Sequence, residues 1–511
     1  MKLERLEQSN IKRIDGKGII CYERSEAYLK ELCDAFSLQH KIQGIVDDNK
    51  RSQGELVFYG RRFPVMPSSC LEQIDWRQNI LLITSDYFGE AYDNLCQSQY
   101  LTEHINEVYY FANRNTECEM EYRRHYQDHA LENIIVFRSG PHASAYVKGM
   151  DFSDNARALF EYMLSKGYNE RYQLVWLVKN PQEFAKWRNY KNVEFLSFDW
   201  SVSENEEERS RYYRALCLAK YIFFTDAYGF ARNCRPDQTR VQLWHGCGFK
   251  TRVNFVRCEK RYEYTTVISD VYSRIHQEIY GLRADQVLVT GYAKQDWLFC
   301  PTKNWQEKLG IARARKYIFW LPTFRTAAAG LDNLNEYDLD GQTGFPIVGT
   351  YEELAQLDRL LQSFDMVLVI KPHPFQDRKS IGSVDMENIV VLDNEQLADL
   401  DIQINQLLGN ADAMISDYSS AAVDYLVLDR PMGFTLDDVE EYAESRGFVF
   451  PNIRDWLPGK ELFSFEDFCS FVREIGEDID STMEKRKELK KKLHQYGDGD
   501  NCKRIVEALR I

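Results

Sequence analysis

The sequence predicts an α/β protein built on parallel sheets. Short strand-like runs alternate with helical stretches along almost the whole chain, which is the pattern of layered α/β folds and not of a sandwich or a bundle. At 511 residues the chain is long enough for about three domains. Hydrophobic residues make up 44 % and aromatics 14 %, ample material for packed cores. The first series of elements is Gly18 to Tyr22, a helix-like stretch from Ser25 to Phe36, Ile42 to Val46 ending in Asp47 and Asp48, and Asn79 to Thr84. It reads as a Rossmann-like module over residues 1–125. A dinucleotide fingerprint needs a glycine-rich first turn, but Gly16 and Gly18 come before or at the start of the strand, so a dinucleotide is not expected there.

A polar stretch from Asn113 to His129 leads to a second series: Asn133 to Phe137, helical Asn155 to Ser165, then Leu174 to Val178, Lys220 to Thr225, Val241 to Trp244, Thr265 to Ser269 and Gln286 to Thr290. After a polar link from Pro301 to Arg315 comes a third: Tyr317 to Leu321, Met366 to Ile370, Ile389 to Leu392, Ala413 to Ser416 and Pro431 to Phe434. These predict two α/β halves of similar size, residues 126–308 and 309–511. Glu484 to Lys492 reads as a solvated helix face, since six of its nine residues are Lys or Arg and only Leu489 is apolar.

With 79 acidic against 64 basic residues the net charge is −15, which argues against a general nucleic-acid binder. No apolar run approaches the ~20 residues of a membrane span, and no signal-peptide pattern opens the chain, so a cytoplasmic protein is expected. Twelve cysteines without a CxxC or regular spacing read as buried thiols in a reducing compartment.

In open parallel sheets, ligands bind outside the carboxyl ends of the strands, so the residues just after each predicted strand are the candidates. Four places stand out. Trp244-His245-Gly246 ends one strand in a histidine presented from a turn, suited to a general base or to a structural hydrogen bond. Lys371-Pro372-His373-Pro374 follows another, and its flanking prolines fix the direction of the imidazole, as phosphate binding requires. Pro322-Thr323-Phe324-Arg325 offers a hydroxyl and a guanidinium, donors suited to a phosphate, or an ordinary surface arginine. Ser416-Asp417-Tyr418-Ser419-Ser420 precedes a helical stretch, where the hydroxyls and free amides make an anion site or a simple cap.

Between Ala231 and Arg261 eight basic residues, Arg240, Lys250, Arg252 and Arg257 among them, face only Asp237 and Glu259. Such a local reversal of charge suits a polyanionic acceptor or an anionic membrane surface, or else ion pairs between domains. No G-x-S-x-G, P-loop or H-E-x-x-H pattern occurs. Asp-x-Asp triplets such as Asp399 to Asp401 are expected by chance among so many acids, and His245 with Cys247 lacks two further zinc ligands at recognisable spacing, so no metal site is assigned.

Taken in order, Trp244-His245-Gly246, Thr290-Gly291-Tyr292 with Asp296, Pro322-Thr323-Phe324-Arg325, His373-Pro374, Ser416-Asp417-Tyr418-Ser419-Ser420 with Asp424, and Arg446-Gly447-Phe448 resemble the CDP-glycerol glycerophosphotransferase family of teichoic-acid polymerases and primases. The resemblance covers about residues 130–455. It implies a GT-B pair of Rossmann-like domains facing a cleft, with a CDP-alcohol held mainly by the carboxy-terminal half. It implies further that His245 is the base that deprotonates the acceptor hydroxyl. His373, Thr323, Arg325, Ser419 and Ser420 would bind the pyrophosphate with Lys371 and Gly246 beside them, and Asp417 would orient a histidine or the helix start. The reaction would be transfer of glycerol phosphate or ribitol phosphate from CDP-glycerol or CDP-ribitol, with CMP leaving and no cofactor. The acceptor would be a cell-surface glycan or teichoic-acid-type polymer, lipid-linked at the inner face of the membrane. Where the family usually continues with Thr-Pro this chain has Cys247-Gly248-Phe249-Lys250, and the usual Arg-Asn before Asp296 is Lys294-Gln295. These departures fall on the acceptor side and leave a capsule glycan as open as wall teichoic acid. The amino-terminal module lies outside the resemblance and reads as a docking module. Two other readings stand beside this one: a GT-B glycosyltransferase using a nucleotide sugar, and a non-catalytic glycan-assembly protein.

Overall fold

The structure is a computed structural model that describes residues 1–23, 26–48, 54–85, 87–140, 147–225, 230, 234–251, 258, 260–323, 342–373, 385–445 and 447–511. By its internal contacts the chain separates into two compact units. One comprises residues 1–130 with 199–217 and 232–235, the other residues 131–198, 218–231 and 236–511.

The first unit is built on a seven-stranded sheet of β1 (Lys2–Arg5), β2 (Gly18–Tyr22), β3 (Ile42–Val46), β4 (Gly54–Phe58), β5 (Arg61–Met66), β6 (Asn79–Ile83) and β7 (Glu107–Tyr110), in the order β1-β7-β6-β2-β3-β5-β4. All neighbours are parallel except the β4–β5 hairpin. The expected strands β2, β3 and β6 form its centre, where the residues are mainly apolar and buried apart from exposed Gln43 of β3. The polar stretch after Asn113 is a helix, Arg114–Tyr126, capped by the Asn113 side chain on the Thr116 amide. Tyr122 stacks on Tyr213 at 4.7 Å, which draws the helix Glu206–Leu218 onto this unit.

The second unit carries two sheets. β8 (Glu132–Arg138), β9 (Gln173–Val178), β10 (Val193–Ser197), β11 (Ala219–Phe224), β12 (Thr239–Gln242), β13 (Tyr264–Val267) and β14 (Val287–Val289) lie in the order β10-β9-β8-β11-β12-β13-β14. β15 (Lys316–Leu321), β16 (Met366–Ile370), β17 (Ile389–Val391), β18 (Ala413–Ser416), β19 (Met432–Thr435) and β20 (Lys460–Leu462) lie in the order β17-β16-β15-β18-β19-β20. Every pairing in both sheets is parallel. Each sheet starts in its middle and winds outward both ways, so strand order reverses between β8 and β11 and again between β15 and β18, the points where doubly wound folds bind ligands. Phe137, Trp176 and Phe223 stack through the first core, and fully buried Trp320 sits against Phe345 and Phe468 in the second.

The chain finally crosses back. Cys502, Ile505 and Val506 of the last helix, Asn501–Ala508, join the core under the first of these sheets. Asp296 anchors that helix by accepting the amides of Asn501 (2.9 Å) and Cys502 (2.8 Å), and the Asn501 side chain donates to the Tyr292 carbonyl. Helix Met483–Leu493 departs from the solvated face expected of it: Arg486 is buried between Asp429 and Asp480, alongside Leu489 and Leu493. Among the described residues, no helix is long and apolar enough to cross a membrane.

Gly291 carries φ +79°, and a Cβ there would lie 2.2 Å from Asn501 Oδ1. Gly310, at φ +67°, has nothing within 4 Å of the same position. Gly291→Ala is therefore expected to cost roughly 2–4 kcal/mol, left-handed strain plus overpacking, and Gly310→Ala only the strain, about 1–2 kcal/mol. Thermal unfolding of the two variants measures the difference, and equal effects would refute the close packing of the last helix on Gly291.

Candidate active site

The site forms where the two halves of the second unit meet. β12 stops at Gln242, two residues before the predicted end, because Trp244 adopts φ +51°, which no strand continues through. The Trp244 ring stacks on Tyr280 at 4.5 Å, and Asn155 Nδ2 donates to the carbonyls of Leu243 (3.1 Å) and Trp244 (2.8 Å). His245 follows with its side chain 52 % exposed, and its Nδ1 lies 2.8 Å from Asp154 Oδ2.

Past His245 the chain runs onto the other half. A Cβ on Gly246, whose φ is +149°, would come within 3.1 Å of the Ser420 side chain, and one on Gly248 within 3.3 Å. The absence of a side chain at both positions suits this close approach, and the φ of Gly246 favours glycine. Residues 249–251 then pair with 447–449 by hydrogen bonds from Val449 N to Phe249 O (2.8 Å) and Thr251 N to Gly447 O (3.1 Å), with a β-bridge between Lys250 and Phe448. Lys250 Nζ reaches Thr323 Oγ1 at 3.3 Å and lies 5.5 Å from the Tyr442 ring centre.

On the carboxy-terminal half, Thr323 follows β15 and Asp417 follows β18, on either side of the switch point. The fully buried Asp417 accepts hydrogen bonds from both the amide (2.7 Å) and the hydroxyl of Thr323. Ser419 caps the short helix Ser420–Tyr425 through the Ala421 amide. After β16, Lys371 is buried and donates to the Pro372 carbonyl (2.8 Å) and to Asn394 Oδ1, fixing the turn that carries His373. His373 is half-buried, and burial together with the charges of Lys250 and Lys371 pushes its imidazole down to about 3, so it is neutral at pH 7. Beside this turn lies a cavity of about 580 Å³ between the halves, lined by Phe152, Trp187, Lys371, Asn394 and Ile404 among others.

A buried ammonium joins the two sides. Lys294 Nζ lies 3.2 Å from Asp154 Oδ1 and 3.4 Å from Asp424 Oδ2, and donates to the carbonyl of His245. Gln295 Nε2 donates to Asp424 Oδ1 at 2.8 Å, and the Lys294 amide donates to Asn155 Oδ1 at 3.0 Å. Burial would discharge Lys294, but Asp154 and Asp424 outweigh it and hold the amine above its ordinary value. Burial also opposes ionisation of Asp154, yet Lys294 and His245 keep its carboxyl below the usual range. For Asp424 burial prevails over Lys294 and Gln295, and the carboxyl is pushed up.

The structure thus gathers His245, Gly246, Lys250, Thr323, Asp417, Ser419 and Ser420 around one junction. Arg325, Arg252, Arg257, Pro374 and Arg446 lie outside the described residues. Where it is described, part of the basic stretch is engaged within the protein. Arg240 is buried and donates to both carboxylate oxygens of Glu263, Arg235 donates to the carbonyls of Tyr126 and His129, and Lys250 is engaged with Thr323. Cys247 is buried against Tyr292 Oη (3.0 Å) and His276, its thiol pushed up to about 12 by burial. Asp154, Asn155 and the role of Lys294 were not foreseen from the sequence. The one available signal was the departure at Lys294-Gln295.

The model of the CDP-glycerol:poly(glycerophosphate) glycerophosphotransferase family matches residues 121–510. The chain belongs to this family. Among its relatives, the teichoic acid ribitol-phosphate polymerase TarK of Staphylococcus aureus is 26 % identical over 70 % of this chain, the match spanning 66 % of TarK. The teichoic acid glycerol-phosphate transferase of the same organism is 24 % identical over 74 % of this chain and 93 % of its own length. A solved structure of the wall teichoic acid polymerase TagF is similar with a TM-score of 0.57 at 19 % identity, covering 78 % of this chain and 93 % of that one. The TagF likeness supports the paired doubly wound sheets expected from the motifs, and the family membership agrees with the resemblance read from them.

Replacing Lys294 by Met leaves two carboxylates without their shared counter-charge and is expected to destabilise the second unit by about 3–5 kcal/mol. Lys294→Arg keeps the charge and should lose far less. Denaturant unfolding of the three proteins checks this, and equal stability of the Met variant would show that the cluster is not held as described.

Proposed function

We propose that the chain transfers glycerol phosphate or ribitol phosphate from a CDP-alcohol to a hydroxyl of a teichoic-acid-type or other cell-surface glycan acceptor, releasing CMP. The observation that carries this is the seating of His245, paired with Asp154, directly across from the hydroxyl-bearing strand ends of the other half, in a chain of this family. Relatives acting with either alcohol phosphate support both donors equally.

In this reading the donor pyrophosphate lies on the carboxy-terminal half at the β15/β18 switch point. The hydroxyls of Ser419 and Ser420, the ammonium of Lys250 and the neutral imidazole of His373 are its donors, Thr323 sets Lys250 beside them by accepting its ammonium, and Arg325 joins them on its sequence position. Lys371 acts by fixing the His373 turn, and Asp417 by holding Thr323. The cavity beside β16 falls in the range that small ligands occupy. His245 Nε2 takes the proton of the acceptor hydroxyl as its oxygen attacks the phosphorus bearing the glycerol or ribitol. The new P–O bond forms as the bond to the CMP oxygen breaks, and the charge that gathers on CMP meets donors already in place. Contact with the inner face of the membrane then comes with a lipid-linked acceptor and not from Arg240 or Lys250. The amino-terminal unit is assigned to docking.

CMP release from CDP-glycerol and CDP-ribitol, with teichoic-acid and lipid-linked glycan acceptors, tests the reading. Wild type is expected to release CMP and His245→Ala to lose about 10²–10⁴-fold in rate, the span a general base supplies. Turnover of a nucleotide sugar instead, or full activity in His245→Ala, would overturn it.

A further inference from the structure

We propose that Asp154 is the positioning residue of His245: it accepts the Nδ1 proton, fixes the imidazole in that tautomer and leaves Nε2 as the nitrogen that meets the acceptor hydroxyl. This rests on the transfer reading above and names a residue that the motifs do not contain.

Four observations converge on it. Both oxygens of the Asp154 carboxylate are used, Oδ2 at 2.8 Å from His245 Nδ1 and Oδ1 at 3.2 Å from Lys294 Nζ, so the carboxylate cannot swing away from the ring without breaking a buried ion pair. The Asp154 side chain is only 16 % exposed while that of His245 is 52 % exposed, the arrangement of a sheltered orienting group behind an accessible base. Asp154 opens the helix Asp154–Ser165 with φ +62°, a conformation that residues with a Cβ rarely adopt, and Trp244 and Gly246 on either side of His245 are also left-handed, at φ +51° and +149°. Finally, Asn155 ties the same helix start to the His245 loop through the Leu243 and Trp244 carbonyls and to the Lys294 amide, so loop and carboxylate are set by one support. A carboxylate that served only to neutralise Lys294 would need none of this geometry around the imidazole.

The described charged groups that face the pair are Lys294, on the turn Ala293–Phe299, and behind it Asp424, on the helix Ser420–Tyr425; both remain in an Asp154 variant. Asp154→Asn is the informative change because asparagine tolerates the left-handed backbone.

The test combines histidine-selective ¹⁵N NMR of the full chain, with His245 assigned by its loss in His245→Gln, and CMP release from CDP-glycerol. In wild type, neutral His245 is expected to carry its proton on Nδ1. In Asp154→Asn neutral His245 is expected to lose its preference for the Nδ1 proton, and the turnover rate to fall about 10²–10⁴-fold with the KM for CDP-glycerol unchanged. An unchanged tautomer or an unchanged turnover rate would overturn the proposal. If wild type turns over no CDP-alcohol at all, the transfer reading fails by itself, and the tautomer still decides whether Asp154 positions His245.

Discussion

A single buried ammonium is the constraint on which the rest of the site depends. Lys294 is 12 % exposed and ion-pairs with Asp154 on the first half and Asp424 on the second. A charge removed from water to that degree is tolerated only when it is fully paired. Because the two carboxylates stand on helices of different halves, full pairing requires the halves to be engaged as they are here. The same ammonium holds the His245 carbonyl, so the base is tied to the junction it works at. Such a cluster contributes little to net stability compared with an apolar core, and its value lies in specifying one arrangement.

The remaining features of the junction follow from that arrangement. The backbone at Gly246 and Gly248 lies against Ser420 because no side chain intervenes, and the strand-like pairing of residues 249–251 with 447–449 carries Lys250 across to Thr323. The family motifs then divide by physical task. His245, His373, Thr323 and the two serines present groups toward the junction. Tyr292 and Asp296 hold it from behind, the tyrosine hydroxyl against Cys247 and the carboxylate on the amides that open the last helix. Asp424 and Gln295 belong to the ionic clamp. Two residues that differ from the usual family pattern, Lys294 and Gln295, are thus structural participants in the clamp.

Much of this was legible in the sequence, and what was not has a physical reason. β16 and β18 run just as the sequence predicts, since central parallel strands are buried on both faces and read as unbroken apolar runs. The strands β1, β4, β5, β7, β10 and β20 were not foreseen. β1, β4, β10 and β20 are sheet edges, β5 carries Arg61, Arg62 and Pro64, and β7 is only four residues beginning with exposed Glu107, so patterning there is weak. Candidate residues at strand ends were found because parallel topology dictates where ligands bind. Asp154 escaped because an acid at a helix start reads as a cap, and its partner His245 is 91 residues away. Arg240 shows the converse: a local charge count does not reveal that Glu263, on the loop before β13, pairs with it.

The central claim is that the base and the joining of the halves form one energetic unit. A double-mutant cycle between Asp154→Asn and Asp424→Asn, read as the rate of CMP release, addresses it directly, because both residues pair with Lys294. Non-additivity of about 1–3 kcal/mol in activation free energy is predicted. Effects that add within about 0.5 kcal/mol would show that the two carboxylates act independently and would contradict the account.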